Sequence, residues 1–293
     1  MQHRFGVEQR AALLERAGAD QGYHPDLLLM TATPIPRTLA LTVFGDLAVS
    51  GITGRPPGRG MVATRVVRQR SLDDLLAPLA AVLAAGGQAY VICPLREESE
   101  KVDAADAQSI HAAVRDRIGA QVGLLHGSLT EDAKLEVVAA FARGDLRALV
   151  STTVVEVGID VAAATLMAVL DADRFGLATL HQLRGRVGRG AAAAQCLLFH
   201  RAADAGRRLE ILATSDDGLA IAEADLAERG PGHLLGTDQH GALRLRIADL
   251  GRDLDLLQDA HQHARQSLGS GLPSSGLERF LRWFSDGQAL TGG

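Results

Sequence analysis

The stretch RALVSTTVVEVGIDVAAATLMAVL, residues 147–170, contains two short apolar runs that decide the fold. Residues 147–151 and 165–170 have the length and composition of strands buried on both faces. Further strand patterns occupy residues 62–67, 88–95, 122–125 and 195–199, with helix-like segments between them. Strands that alternate with helices indicate right-handed βαβ units. We therefore predict an α/β fold with a doubly wound parallel sheet over residues 61–201.

Two of the intervening helices carry end signals. Ser71 is expected to cap the first helix, which ends at Gly86 and Gly87. Thr130 is expected to cap the second, which ends at Gly144 and carries Glu131 and Asp132 in its first turn, where acids suit the helix dipole. The leucines predicted to face inward in the first helix are Leu72, Leu75, Leu76, Leu79 and Leu83. The inner stripe predicted for the second is Leu135, Val138, Ala139 and Ala142.

Composition shifts divide the chain on either side of this sheet. GRPPGRG, residues 54–60, is too rich in glycine and proline to pack as an element, so we predict a linker there. Residues 1–53 precede it and include an apolar run at 26–30 that reads as a buried strand. Beyond residue 201 the alternation stops. Residues 202–293 are expected to form a separate unit, with helices at 204–213, 219–227 and 248–268 around a glycine-rich loop at 229–241.

Bulk properties exclude several classes of protein. The 293 residues carry a formal net charge of −5, which gives no global electrostatic case for nucleic acid, so any such binding must come from local patches. The two cysteines, Cys93 and Cys196, have no CxxC spacing, and His261 and His263 would point away from each other on a helix, so we expect no metal site. No run of about eighteen apolar residues occurs. We expect a soluble, cytoplasmic protein that does not bind membranes.

Loops that follow strands are the first places to look for ligands, because open α/β sheets bind at the carboxyl ends of their strands. The segment TTVVEVGID, residues 152–160, places hydroxyls, an acid and a glycine after one strand and could bind a phosphate. An ordinary capped turn is the alternative. Asp171 and Asp173 follow another strand, and a turn is the better interpretation because no nucleophile accompanies them.

The segment LHQLRGRVGRG, residues 180–190, is rich in arginine and glycine. If it is helical, Gln182, Gly185, Arg186 and Arg189 fall at i, i+3, i+4 and i+7, so that two guanidinium groups share one face. That face could bind an anionic group, whereas the alternative is a solvated basic helix. Each glycine costs a helix roughly 1 kcal/mol against alanine, so the segment needs a packing or functional reason for its glycines.

Four motifs together resemble those of superfamily-two helicases in order and spacing. They are TATPIPRTLA at 31–40, LHG at 125–127, STTVVEVGIDV at 151–161 and QLRGRVGRG at 182–190. A fifth, ERGPGHLLGTDQHG at 228–241, is similar to a segment of RecG-type branch-migration helicases and, in a variant form, of transcription-repair coupling translocases. Its GPG and LLGT details favour the RecG type.

This resemblance implies a RecA-like second helicase lobe at 61–201, a remnant of the first lobe at 1–53 and a coupling module at 202–293. ATP with Mg²⁺ would bind between the two lobes, and the DNA partner would be branched or duplex, as at replication forks and Holliday junctions in recombination and repair. Arg186 and Arg189 match arginine fingers for the γ-phosphate, with Gln182 as an opening contact. The remaining roles that it implies are ATP binding for Gly158 and Asp160, DNA contacts for Thr152, Thr153, His126 and Gly127, and coupling for Thr31, Thr33, Glu223, Arg229 and Gln239.

The sequence also departs from that family pattern. No GxxxxGK[ST] occurs, so the phosphate-binding P-loop is absent, and so are the acidic metal-binding pair and the amino-terminal wedge. We therefore expect a monomeric carboxy-terminal part of such a helicase, whose partner is the missing amino-terminal half. A truncated gene product, or a misplaced start codon with the motor continuing upstream, would both explain this. The functional alternatives are a DNA-binding fragment without ATP turnover and a transcription-repair coupling translocase.

Overall fold

The computed structural model describes residues 28, 30, 50, 60–94, 100–119, 121–152, 161–190, 192–202, 205–229 and 253–269. Two compact units divide the chain. One is Gly51–Ile221, and the other combines Met1–Ser50 with Ala222–Gly293.

The strands of the first unit are short and begin and end close to their predicted positions. They are β1 (Val62–Arg68), β2 (Gln88–Ile92), β3 (Val122–Leu125), β4 (Ala148–Ser151), β5 (Ala164–Val169) and β6 (Ala194–His200). The described helices are α1 (Asp73–Ala84), α2 (Glu100–Ile118), α3 (Glu131–Arg143), α4 (Leu177–Arg184), α5 (Ala205–Thr214), α6 (Gly218–Arg229) and α7 (Leu254–Gly269).

The six strands form one sheet in the order β1-β6-β5-β2-β4-β3, and every pairing is parallel. Parallel neighbours require crossover connections, which the intervening helices provide. All five residues of β2 and all four of β4 are buried, as expected for strands in the middle of a covered sheet. The predicted α/β class with a parallel sheet is confirmed.

Helix α1 forms the predicted inner face but not the predicted cap. Leu75 and Leu79 are fully buried, and Leu72 and Leu83 pack against the same core. Ser71 does not cap the helix through its side chain. The Asp74 carboxylate instead accepts hydrogen bonds from the backbone N–H of Arg70 at 2.7 Å and of Ser71 at 2.8 Å. An acceptor inside the first turn therefore reaches back to donors that precede the helix.

Helix α3 has the predicted ends but a rotated inner face. The Thr130 hydroxyl accepts from the backbone N–H of Ala133 at 3.3 Å, and Gly144 ends the helix at φ 86°. Val138 is buried as expected, but Leu135 is 57% exposed and Phe141 is 1% exposed. Turning the helix by about 100°, one residue, buries the large ring of Phe141 in place of Leu135.

Two described residues before the sheet, Leu28 and Met30, do not form the strand predicted at 26–30. Leu28 and Met30 lie outside any strand and are 79% and 76% exposed. The buried strand predicted at 26–30 is therefore wrong at these two positions, because no described element covers them.

Candidate functional site

The segment that carries Arg186 and Arg189 is a helix followed by a loop. Helix α4 ends at Arg184, and Gly188 has φ 71°, which is the left-handed region that glycine favours. The backbone N–H of Arg186 bonds the carbonyl of Leu183 at 2.9 Å, which closes the last turn tightly. The prediction that Gln182 and Arg189 share one helical face is therefore wrong. We call residues 185–190 the arginine loop.

Packing explains two of the loop glycines. A Cβ on Gly188 would lie 2.8 Å from Val62 Cγ2, and a Cβ on Gly190 would lie 3.0 Å from the carbonyl oxygen of Ala162. The Gly188 N–H also bonds the carbonyl of Ala164 at 3.4 Å. The glycines thus allow the backbone of the loop to lie close against the sheet.

The arginine loop lies at the edge of the sheet where the strands begin, which we call the amino edge. Its contacts Val62, Ala164 and Ala194 are the first residues of β1, β5 and β6. This segment precedes β6, so it is not one of the loops after strands in which ligands are expected first. The loop therefore places the backbones of Arg186 and Arg189 at the amino edge.

The three side chains assigned to this segment are accessible to different degrees. Arg189 is exposed, and its Nε donates to the carbonyl of Gly185 at 3.2 Å. Gln182 and Arg186 are half-buried. No salt bridge involves Arg186 within the part of the chain that the structure describes. A guanidinium group that no acid neutralises can bind an external anion.

The sequence prediction overlooked the neighbouring Arg184. Its side chain is 7% exposed, and its Nη1 donates to the carbonyls of Leu212 at 2.6 Å and Ser215 at 2.9 Å. The spacing could have revealed it, because Arg184 lies four and seven residues after Leu180 and Leu177, on the apolar face of α4. Burial raises the pKa of the Cys196 thiol to about 12, and the positive charge of Arg184 acts against that rise.

The residues assigned to DNA contacts lie at the opposite edge, where the strands end. His126 directly follows β3 and is 9% exposed, and its buried Nδ1 has no hydrogen-bond partner among the described residues. Gly127 is exposed, and a Cβ there would meet nothing within 4 Å. Neither crowding nor a positive φ requires glycine at 127. Close approach of an external group to the backbone would favour a glycine at this position.

Thr152 follows β4 at the same carboxyl edge but is only 2% exposed. Its backbone N–H bonds the carbonyl of Leu125 at 3.1 Å, which ties the ends of β3 and β4 together. A hydroxyl open to a DNA backbone would be more exposed, so the DNA contact through Thr152 stays a prediction.

The structure separates the two groups of predicted residues. Strands of four to seven residues, rising about 3.3 Å each, place the two edges about 13–23 Å apart. Glu223 is exposed on α6 and Arg229 ends that helix. The predicted site residues that lie outside the described part of the chain are Thr31, Thr33, Thr153, Gly158, Asp160 and Gln239.

Two weaker sequence signals have structural interpretations. Asp171 starts a 3₁₀ turn at Ala172–Arg174 and pairs with Arg201 at 3.0 Å, which confirms the predicted turn. On α7, His263 Nδ1 lies 2.8 Å from the carbonyl oxygen of Asp259. The described ranges contain no cluster of histidine, cysteine and acidic residues that could hold a metal ion.

None of the helices in the described part of the chain is both long and apolar enough to span a bilayer.

Comparison with known proteins assigns both parts of the chain. Residues 69–191 match the family described as Helicase conserved C-terminal domain, and residues 215–277 match ATP-dependent DNA helicase RecG, domain 3, C-terminal. The first match contains the whole arginine loop, and the second contains all of α6 and α7.

Individual relatives agree with these matches. The chain is 49% identical over 260 residues to the ATP-dependent DNA helicase RecG of Acidithiobacillus ferridurans, covering 87% of this chain and 37% of that protein. It is 44% identical over 290 residues to that of Escherichia coli K12, covering 97% of this chain and 42% of that protein. Among solved structures it is similar to RecG bound to a three-way DNA junction, with 40% identity and a TM-score of 0.63 over 82% of this chain and 31% of the other.

The chain thus spans about two fifths of the length of these curated relatives, between 37% and 42%. The ordered motifs, the parallel sheet with its helical crossovers, and the two domain matches all identify the same group of proteins. The chain belongs to the RecG family of ATP-dependent DNA helicases, and the domains that it matches there are carboxy-terminal ones.

Proposed function

We propose that this chain is the second motor lobe and coupling region of an ATP-dependent helicase that remodels branched DNA. The observation that carries the proposal is the arginine loop, which presents an exposed and a half-buried arginine at the amino edge of the sheet. RecG relatives at 44–49% identity are named ATP-dependent DNA helicases, which supports the same activity for the motor to which this chain contributes.

Arg186 and Arg189 would bind the terminal phosphate of ATP held by the P-loop of the first lobe. The residues present fit such a group, because Arg186 has no acidic partner among the described residues and the loop backbone is fixed against the sheet by the Gly188 contacts. Guanidinium groups placed there stabilise negative charge as it develops during phosphoryl transfer. Gln182 would contact the nucleotide from the last turns of α4, and Gly158 and Asp160 would complete this side of the pocket. Mg²⁺ would be held mainly by the first lobe.

The carboxyl edge would contact DNA. Gly127 leaves room for a sugar-phosphate backbone. His126 and Thr152 directly follow β3 and β4 at this edge, and Thr153 is the next residue in the sequence. Backbone contacts carry no sequence information, which suits a motor that must move along any DNA. A solved RecG structure is described as bound to a three-way DNA junction, which supports a branched DNA partner for this chain.

The coupling region would transmit movement of the lobe to the duplex. Thr31 and Thr33 in the first lobe, Glu223 and Arg229 on α6, and Gln239 in the glycine-rich loop would form that connection. The match of residues 215–277 to a RecG-specific domain favours this assignment over a transcription-repair coupling translocase.

Reconstitution tests the proposal. The full chain is mixed with the amino-terminal part of a RecG-type helicase that carries the P-loop, and ATP hydrolysis is measured with and without a three-way DNA junction. We expect DNA-stimulated hydrolysis only in the mixture. Circular dichroism of each part establishes that both are folded.

The opposite result has a defined meaning. If both parts are folded and the mixture hydrolyses no ATP, the enzymatic proposal is wrong. Salt-dependent DNA binding by the chain that does not respond to nucleotide would then identify a DNA-binding fragment without ATP turnover.

A further inference from the structure

Arg184 joins two segments that the chain separates by about thirty residues, as the spans of its hydrogen bonds show. It is the last residue of α4, directly before the arginine loop. Its Nη1 donates to the carbonyls of Leu212 and Ser215 and lies 3.4 Å from Asp216 Oδ1. All three acceptors belong to the end of α5 or to the turn between α5 and α6, residues 215–217.

The arrangement compensates a buried charge. An arginine with a side chain that is 7% exposed loses nearly all of its hydration, which costs several kcal/mol unless polar groups replace the water. The last carbonyls of a helix have no partner within the helix and carry the negative end of its dipole. Arg184 donates to one of these in α5, that of Leu212, and to the carbonyl of Ser215 just after the helix. The half-exposed carboxylate of Asp216 adds an opposite charge.

We infer that Arg184 is a positioning residue that fixes the arginine loop to the α5–α6 turn, so that the two segments move as one body. This inference rests on the proposed function of the arginine loop, and it adds a residue that the helicase motif roles do not include. The Gly188 contacts hold the far side of the loop against β1 and β5, and Arg184 holds its near side. Movement of the loop as the nucleotide site opens or closes is thereby passed to the start of α6.

A merely structural role is the competing explanation, and Arg147 supplies a matched control for it. Arg147 is also partly buried, and its Nη2 donates to two carbonyls, those of Leu83 and Gly87, both at 3.1 Å, at the end of α1. It precedes β4 and so lies at the same amino edge as Arg184, but it contacts neither the arginine loop nor the α5–α6 turn through these bonds. Loss of either arginine removes two hydrogen bonds to carbonyls at or just beyond the end of a helix.

The first experiment measures amide hydrogen exchange in the full chain, comparing Arg184→Gln with Arg147→Gln. We expect Arg184→Gln to accelerate exchange in both residues 185–190 and residues 212–218. Arg147→Gln should accelerate exchange near residues 83–88 and leave those two segments unchanged.

The second experiment measures ATP hydrolysis and junction unwinding in the reconstituted motor. Arg184→Gln should lower kcat about 10- to 100-fold, the scale of a misplacement of about 1 Å at a reacting centre, with KM for ATP little changed. Arg147→Gln should change kcat far less at a similar loss of melting temperature. Arg184→Lys keeps the charge but not the planar fork, so its kcat should lie between those of Arg184→Gln and the unaltered chain.

Three outcomes overturn the inference. The first is that Arg184→Gln accelerates amide exchange in only one of the two segments. The second is that Arg184→Gln and Arg147→Gln lower kcat equally, and the third is that Arg184→Gln leaves kcat unaltered. Each would show that Arg184 only stabilises the fold. If Arg184→Gln does not fold, Asp216→Asn replaces it, and the same two segments should respond more weakly. If the unaltered mixture hydrolyses no ATP, the proposed function fails while the exchange experiment still decides the role of Arg184.

Discussion

Arg189 extends from the most exposed part of the arginine loop, and its guanidinium is anchored at one end by the bond from Nε to Gly185. Its terminal nitrogens are the atoms that would stabilise charge on a phosphate. We expect Arg189→Ala to lower kcat of the reconstituted motor by about 10³-fold or more, the scale of an arginine finger, with DNA affinity little changed.

Steady-state ATP hydrolysis and DNA binding, measured on the same preparation, check this expectation. Arg143→Ala is the control, because Arg143 is also exposed and, in the part of the chain that the structure describes, pairs only with the surface residue Asp145. Equal losses of hydrolysis and DNA binding in Arg189→Ala would indicate a folding defect and count against the finger role.

Gly188 is required by the fold rather than by the chemistry. Its φ of 71° costs any other L-residue about 1–2 kcal/mol, and a Cβ there would press on Val62 Cγ2 at 2.8 Å. We expect Gly188→Ala to lower the free energy of unfolding by at least about that amount.

Urea unfolding measures this change. Gly127→Ala serves as the control, since it adds a Cβ in open space at a residue without positive φ, and its unfolding free energy should stay near that of the unaltered chain. A Gly188→Ala chain as stable as Gly127→Ala would mean that the loop adapts without cost.

At the scale of elements, α1 depends on an acid inside its first turn. Hydrogen bonds from the backbone N–H of Ser71 and then of Arg70 lower the pKa of the Asp74 carboxyl below its usual value of 3.8. Because the folded pKa is depressed, its contribution to stability is present above the unfolded pKa and is lost as the pH falls through the folded pKa.

We therefore expect Asp74→Asn to lower the melting temperature at pH 7 and to differ little from the unaltered chain at a pH below both pKa values. Thermal unfolding followed by circular dichroism at the two pH values measures this difference. Asp73→Asn is the matched control, since it removes a neighbouring first-turn charge without removing those two bonds. A difference that persists at low pH would show that the carboxylate charge is not the cause.

The helices also show where sequence patterns stop being sufficient. Thr130 and Gly144 fix the ends of α3 because capping depends on local chemistry that a sequence displays directly. Its inner face depends on which side chain fills the space beside β2, where Phe141 meets the ring of Tyr90 with centroids 4.8 Å apart. That choice is tertiary, so Leu135 was assigned to the wrong side.

At the scale of the whole molecule, the parallel pairing follows from the alternation of strands and helices, and the sequence predicts the α/β class correctly. The order of the strands within the sheet does not follow from that alternation. The edge of the sheet at which the arginines lie was not predictable from the same rule. Carboxyl-edge binding describes ligands that a sheet holds by itself. The arginine loop, as proposed, serves a nucleotide held by another lobe, so it can lie at the opposite edge. The position of Arg184 on the apolar face of α4 could be predicted from its spacing, but its acceptors could not, because they are backbone carbonyls about thirty residues away.

Because the amino and carboxyl edges lie apart, we expect a substitution at the carboxyl edge to change DNA binding without changing ATP hydrolysis. We expect Gly127→Glu, which places a negative charge in open space at the carboxyl edge, to weaken DNA binding about 10-fold at low salt, since charges 4 Å apart interact by about 1 kcal/mol in water and more near a protein surface. Gly127→Gln, of the same size but neutral, should weaken it much less, and the difference should shrink as salt is added.

The double variant Gly127→Glu with Arg189→Ala then tests whether the edges act independently. Sites farther apart than about 7–10 Å usually contribute additively, and the edges are separated by about the length of a strand. In the reconstituted motor the loss of DNA affinity should match that of Gly127→Glu alone. The loss of kcat at saturating DNA should match that of Arg189→Ala alone. A loss in either quantity larger than these single effects would mean that the DNA and nucleotide contacts are coupled within this lobe, and the path through Arg184 to the α5–α6 turn is the first place to look for that coupling.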